Sequence, residues 1–515
     1  MSKPSRFWSI IISVDLIVII VLLFPLLAVG ALIIFALSTR ALRRLPEHEY
    51  EQAVRAPAWF AVAIGLGITA LSVYALGNIL DPVLIGPPQR YPILRVDSYS
   101  CWGTALLGFT LALLSWVPAA RRSMVPHTIL PFIIIFLLTW LAELLLFSIS
   151  QPLTLWCWLL LFIGVYLFWW YICRPDWRWR DVEISLVMLL CALLGLIGLW
   201  WLMRISNAAP LPNLWQVLMN AREGASSAAL LMVMLGMLGP AIYLPWWLWV
   251  RREDARMVWQ PAAGILALTG VMVLVRLVCF TFPGPALLLI PNLNFDQLYL
   301  IKKLLIWLSG WGMLAVFGGA LWQANLAVLQ LFSKRRMTLG YLHPLALILG
   351  GMLLLGLAAG FQAQGVSEKT VNSGMDGLLW TQLGWCIALL IWLVGGGILP
   401  ALALKERGER GIIIGSMVVA LASICAFPLT PGYAVFRLLW ATLPSPLLLV
   451  AALVITAAAV ASLLPRWLEH QATPVLRPGS GWGIFPSFIG AVIIIASGIF
   501  AGPLIEIVRL ALLTR

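Results

Sequence analysis

The sequence predicts an all-α polytopic membrane protein of about 14 transmembrane helices, with two inverted five-helix repeats and broken helices in spans 7 and 12. Three observations predict it. Of the 515 residues, 62% are apolar and only 10% are charged, with a mean hydropathy of +1.00. A water-soluble fold has nowhere to hide that much apolar surface. The basic residues gather in every second loop. Two apolar runs, each long enough to span a bilayer, are interrupted by prolines at corresponding places.

The elements follow in order. The basic start, MSKPSR, lacks a small-residue cleavage site, and its apolar run is too long for a signal peptide. Phe7–Leu37 therefore reads as an uncleaved first span, tilted because it exceeds the ~20 residues a bilayer needs. Further spans read at 57–80, 99–118, 127–150, 153–173, 183–205, 225–250, 259–282, 303–331, 338–360, 378–403, 411–441, 444–464 and 483–512. Residues 1–126 hold spans 1–3, 127–282 the first repeat (spans 4–8), 283–464 the second (spans 9–13) and 465–515 span 14.

Loop charge sets the orientation. Arg40, Arg43, Arg44 and Arg55 follow span 1, and Arg121 and Arg122 follow span 3. Arg174, Arg178 and Arg180 follow span 5, Arg251, Arg252 and Arg256 follow span 7, and Lys334, Arg335 and Arg336 follow span 9. Lys405, Arg407 and Arg410 come after span 11, and Arg466 and Arg477 after span 13. The other loops hold only Arg90, Arg95, Arg222 and Lys369. Cytoplasmic loops carry the excess of Lys and Arg, so both termini are expected outside. A bacterial cytoplasmic membrane is the expected location.

The breaks are GPAIYLPWWLW, with Pro240 and Pro245, and CAFPLTPGY, with Pro428 and Pro431. Proline removes a backbone donor and clashes with the preceding turn. Unsatisfied backbone in hydrocarbon is costly, so such breaks survive inside protein or beside a wet cavity. Breaks in spans 7 and 12 lie five spans apart. Spans 4–8 and 9–13 then insert in opposite senses, as an inverted-repeat transporter requires.

Several classes are excluded. The net charge of +13 is spread over short loops and does not form one basic face, so no nucleic-acid partner is expected. The seven cysteines form no C-x-x-C, which argues against iron–sulfur ligation, structural zinc and a disulfide framework. No metal site is expected. The glycine motifs of nucleotide sites are absent.

At five stretches, ILRVDSYSCW, GPAIYLPWWLWV, QPAAGILALTGVMVLVRL, LFSKRRMTLGY and ICAFPLTPGYAVFRLLW, the chain resembles, as a divergent member, the antiporter-like subunits of NADH:quinone oxidoreductase (complex I) and of multi-subunit sodium/proton antiporters. ICAFPLTPGYAVFRLLW resembles their L-A-G-L-P-P-T-A-G-F segment. GPAIYLPWWLWV with QPAAGILALTGVMVLVRL resembles G-K-x-A-Q-x-P-x-H-x-W-L and a helix ending G-V-Y-L-L-L-R. ILRVDSYSCW resembles L-x-V-D-x-L-S, and LFSKRRMTLGY resembles L-K-R-x-x-A-Y-S. These matches run from about Ile93 to Trp467.

The resemblance implies a central row of ionisable residues in spans 5, 7, 8 and 12. Aligning ELLLF with the family's D-L-L-L-F puts the span 5 glutamate position at Gln151 or Pro152. The remaining positions fall on Pro240, on Pro261 or Ala262, and on Phe436. None keeps an ionisable side chain. Other intramembrane charges are then the candidate ion pathway, since such residues are costly and functional by default. They are Glu143 in span 4, Arg276, Lys302 and Lys303, His343, and Arg437 beside the second break. Arg276, Lys302 and Lys303 are also placed to snorkel. Glu143 reads equally as a structural carboxylate and as a relay. Arginine holds its proton too firmly to relay it, so Arg437 is expected to bind an anion, a lipid headgroup or a carboxylate. Gln323, Asn325 and Gln330 are expected to line one stretch of span 9.

The resemblance implies a membrane-arm subunit, in contact with lipid and with other membrane subunits, of an assembly passing electrons from NADH or a related donor to quinone. Quinone, flavin and iron–sulfur clusters are implied only in partner subunits; no cofactor is expected in this chain. It contributes to proton translocation or, without the charged row, to structural support of the arm. The alternatives are a non-pumping spacer or docking subunit, and a cation or inorganic-carbon transporter subunit.

Overall fold

A computed structural model describes residues 14–41, 47–78, 83–85, 93–120, 130–173, 179–214, 228–240, 260–281, 295–332, parts of 344–358, 410–442, 446–471 and 485–502. Its helices are α1 (Val14–Ala41), α2 (Glu47–Asn78), α3 (Ser98–Ala120), α4 (Leu130–Phe147), α5 (Gln151–Cys173) and α6 (Trp179–Ile205). They continue with α7 (Ala228–Pro240), α8 (Gln260–Thr281), α9 (Phe295–Phe332), α10 (Arg410–Ile424), α11 (Pro431–Thr442), α12 (Pro446–Gln471) and α13 (Phe485–Ile499). Helical residues lie within every expected span except the eleventh, 378–403, which is outside the described residues. Among the described residues, five helices are long and apolar enough to cross a membrane. This is an integral membrane protein.

Among the described residues the architecture departs from the expected all-α chain at one place. Between α2 and α3 lie two short strands, β1 (Val83–Ile85) and β2 (Leu94–Val96), paired antiparallel with Val83 opposite Val96 and Ile85 opposite Leu94. Two β-branched apolar residues in β1 and one in β2 suit a pleated surface. The stitching continues across the fold. The Ile149 N–H donates to the Ile93 carbonyl at 3.0 Å, and the Leu211 N–H to the Ile149 carbonyl at 2.8 Å. This satisfies the backbone where α4 ends and α5 begins, as a low-dielectric setting demands. Pro152, in the first turn of α5, lacks an N–H that would have had no partner there.

Helix α3 packs on α2 and α8; α4 packs on α1, α5 and α8; α5 packs on α6. In the second half α9 packs on α12, and α13 on both α10 and α11. Trp158, Trp169, Phe132 and Phe136 are fully buried, while Leu27, Ile34, Trp156 and Leu190 stand outward. Lipid is as apolar as leucine, so burial alone does not drive helices together in a bilayer; close van der Waals approach does. Gly65 on α2 and Gly108 on α3 supply that approach. A Cβ on Gly65 would lie 2.6 Å from the Gly108 carbonyl oxygen, and one on Gly108 2.7 Å from the Gly65 oxygen. Trp116 on α3 joins the halves, with its ring 5.3 Å from Phe485 on α13 and 5.4 Å from Trp59 on α2.

Helix α9 begins well before the expected start of span 9, so Lys302 and Lys303 lie inside the helix and not at its entry. Gln323 on α9 is buried whereas Asn325 is exposed, so the two do not share one polar stripe as expected. Residues two apart on a helix do not face the same way.

Candidate functional site

The candidate residues lie in three separate settings. The first is an ion-paired latch at the C-terminal ends of α4 and α8. Asp97 caps α3: its Oδ1 accepts hydrogen bonds from the Ser100 N–H and hydroxyl, both at 2.8 Å. Its Oδ2 accepts from Arg276 Nη2 at 3.1 Å. Arg95 Nε on β2 lies 3.2 Å from the same oxygen, close enough for an ion pair although not aligned as a hydrogen bond. Arg276 Nη1 donates to the Leu146 carbonyl near the end of α4. Carbonyls in a helix's last turn have no intrahelical partner, and a cation there also meets the helix dipole favourably. One turn below Arg276, the Tyr99 hydroxyl donates to the Met272 carbonyl at 2.9 Å. The expected snorkelling of Arg276 does not occur: the side chain is 4% exposed and ties α3, α4, α8 and β2 together. The aspartate of ILRVDSYSCW was the available signal for its partner.

The second setting is the buried middle of the first half. Glu143 on α4 is completely buried, and neither carboxylate oxygen has a hydrogen-bond partner among the described residues. The Thr269 hydroxyl on α8 and the Trp158 indole N–H on α5 are buried and likewise without a hydrogen-bond partner among them. Three positions to which the family resemblance assigns charges also lie in this half. At Gln151, Nε2 donates to the Ala209 carbonyl at 2.8 Å and Oε1 accepts from the Ser206 hydroxyl at 2.9 Å. Asn207 and Ala208 adopt positive φ, folding the end of α6 back so that it reaches Gln151. Pro240 and Pro261 are buried.

The third setting is the second break. Helix α10 stops at Ile424 and α11 starts at Pro431. Between them Ala426 and Leu429 have φ of 55° and 68°. The Phe427 N–H donates to the Ala422 carbonyl at 2.9 Å, and the Thr430 hydroxyl to the Phe427 carbonyl at 2.5 Å. Gly498 of α13 lies flat against this turn; a Cβ there would strike the Leu429 carbonyl and Thr430 Cα. No pattern in the sequence pointed to Gly498. Phe436 packs against the core and against Trp440, with ring centroids 6.0 Å apart. Arg437 is exposed.

The structure does not bring Glu143, Arg276 and Arg437 into contact with one another. Lys302 and Lys303 sit on α9, but their side chains, like His343, Pro245 and any break in span 7, lie outside the described residues. Among the described residues no cluster of His, Cys, Asp or Glu is able to hold a metal.

No family model matches this chain, and neither does any curated protein. Solved structures do. A chain of the membrane-bound sulfane sulfur reductase (MBS), an archaeal respiratory membrane complex, is 12% identical with a TM-score of 0.62, covering 97% of each chain. A chain of the Mrp complex from Dietzia sp. is also 12% identical with a TM-score of 0.62, covering 96% of each. A chain of respiratory complex I from Thermus thermophilus is 16% identical with a TM-score of 0.58, covering 94% of this chain and 98% of its own. Over nearly its whole length, this chain has the fold of the antiporter-like membrane subunits that its sequence resembles.

Proposed function

We propose that this chain is an antiporter-like subunit in the membrane arm of a complex I-type respiratory assembly, and that it supports the arm structurally without relaying protons. It sits in a bacterial cytoplasmic membrane with both termini outside. Partner subunits oxidise NADH or a related donor and reduce quinone, and they carry the flavin and iron–sulfur clusters. The shared fold, found in chains of respiratory membrane complexes, supports the assembly. The support role rests on Gln151. A relay needs a row of side chains that gain and lose protons. Where the family resemblance expects its glutamate, an amide spends both ends as a brace between α5 and the end of α6.

A second reading, residual proton translocation, is favoured by Glu143, whose buried carboxylate has no hydrogen-bond partner among the described residues. One experiment separates the two: the proton-to-electron ratio of the intact complex in sealed vesicles, with and without Glu143→Gln. An unchanged ratio is expected. A lower ratio in the variant assigns Glu143 to a working path and overturns the support role.

A further inference from the structure

The second break faces outward. Phe427 and Leu429 are 62% and 64% exposed. The Leu429 N–H donates to none of the described residues. Helix α11 continues the same outward surface through Tyr433, Arg437 and Trp440, spaced i, i+4, i+7. The break is at membrane depth. Phe485, Trp116 and Trp59 form an aromatic layer, and in the sequence Trp116 comes five residues before the first arginine of the basic loop after span 3; such aromatic rings mark the cytoplasmic interface. Gly498, against the break, stands thirteen residues further along α13 than Phe485. At 1.5 Å per residue that is about 20 Å into a hydrocarbon layer of about 30 Å.

Lipid tails cannot satisfy non-helical backbone, so a break at this depth is tolerated only where protein or water covers it. The charge beside it narrows the choice. Arg437 has no partner among the described residues, and an arginine on an apolar helix face calls for an anion that its planar fork can hold by two hydrogen bonds. Of this chain's own carboxylates on the described membrane helices, Asp97 is bound to Arg276, Glu143 is fully buried, and Asp15 stands on α1, which packs on α2 and α4. We infer that the face formed by Phe427, Leu429, Tyr433, Arg437 and Trp440 is a docking surface for a neighbouring subunit's transmembrane helix that presents an aspartate or glutamate to Arg437. The inference rests on the membrane-arm role proposed above and names the chemistry of the partner.

The test uses the complex extracted from its native membrane in mild detergent, through a tag on this chain, with a photo-crosslinking residue at Tyr433. The crosslink is expected on a membrane helix of a co-purifying subunit, within two turns of an aspartate or glutamate. Arg437→Glu is expected to strip that subunit from the complex while the chain stays in the membrane, and Arg437→Lys, which keeps the charge but not the fork, to retain it only in part. Crosslinks to lipid alone, or to a helix without a carboxylate, overturn the inference, as does full retention of the partner by Arg437→Glu. In those cases membrane subunits still co-purify, and the membrane-arm role stands. If the unaltered chain brings down no membrane subunit, both fail.

Discussion

Asp97 divides its two carboxylate oxygens between two tasks. Oδ1 caps α3, and Oδ2 neutralises Arg276, which in turn closes α4. A buried charge left alone is far more costly than a buried pair replaced by apolar groups. Asp97→Ala should therefore destabilise the fold by about 3–5 kcal/mol, read as a lower unfolding temperature of the detergent-solubilised protein. The joint replacement Asp97→Leu with Arg276→Met should be milder than Asp97→Ala alone. If the double variant melts lower still, the charge balance is not what the latch provides. Gln151→Ala should cost about 1–3 kcal/mol, because it leaves the Ala209 carbonyl and Ser206 hydroxyl short of a partner. Glu143→Gln breaks no hydrogen bond among the described residues, and its melting temperature should match that of the unaltered chain.

At the scale of elements, the second break depends on a helix remote in sequence. Gly498 has no side chain, and α13 therefore lies directly on the turn from Cys425 to Thr430. Gly498→Val forces carbon atoms into the Leu429 carbonyl, which is backbone and has no rotamer to yield. A loss of about 1–3 kcal/mol or more is expected from such overpacking. Gly415→Ala on α10 is the control, since its Cβ meets nothing within 4 Å. It should be neutral or stabilising by up to about 1 kcal/mol, through the lower helix cost of alanine. Equal melting of the two variants would falsify the contact between α13 and the break as the support of that turn.

The whole molecule is organised by the bilayer. By the positive-inside rule, the loop after span 1 is expected in the cytoplasm. A cysteine at Pro46 is thus expected to react with a membrane-impermeant maleimide only in inside-out vesicles, and labelling of intact spheroplasts would reverse the topology. Spans 4–8 are expected to superpose on spans 9–13 after a half-turn in the membrane plane, to be checked in a cryo-electron microscopy map of the assembled complex. A continuous helix through Pro245 would remove half the basis for that repeat.

Composition alone was enough to identify a membrane-spanning helical chain, because 62% apolar residues in runs of bilayer length leave no other way to satisfy the backbone. Proline chemistry likewise marked the turn between Ile424 and Pro431, since a proline cannot continue the hydrogen-bond ladder wherever the rest of the chain lies. The small hairpin was not legible, since strands of three residues carry too little periodicity and owe their form to the α4–α5 junction they pair with. Nor was the fate of Arg276. A helix-end arginine reads the same whether it snorkels or pairs, and its partner Asp97 lies 179 residues away. Local sequence chemistry sets which groups a helix carries; only tertiary packing decided which of them meet a counter-charge, as Arg276 does, and which face outward, as Arg437 does.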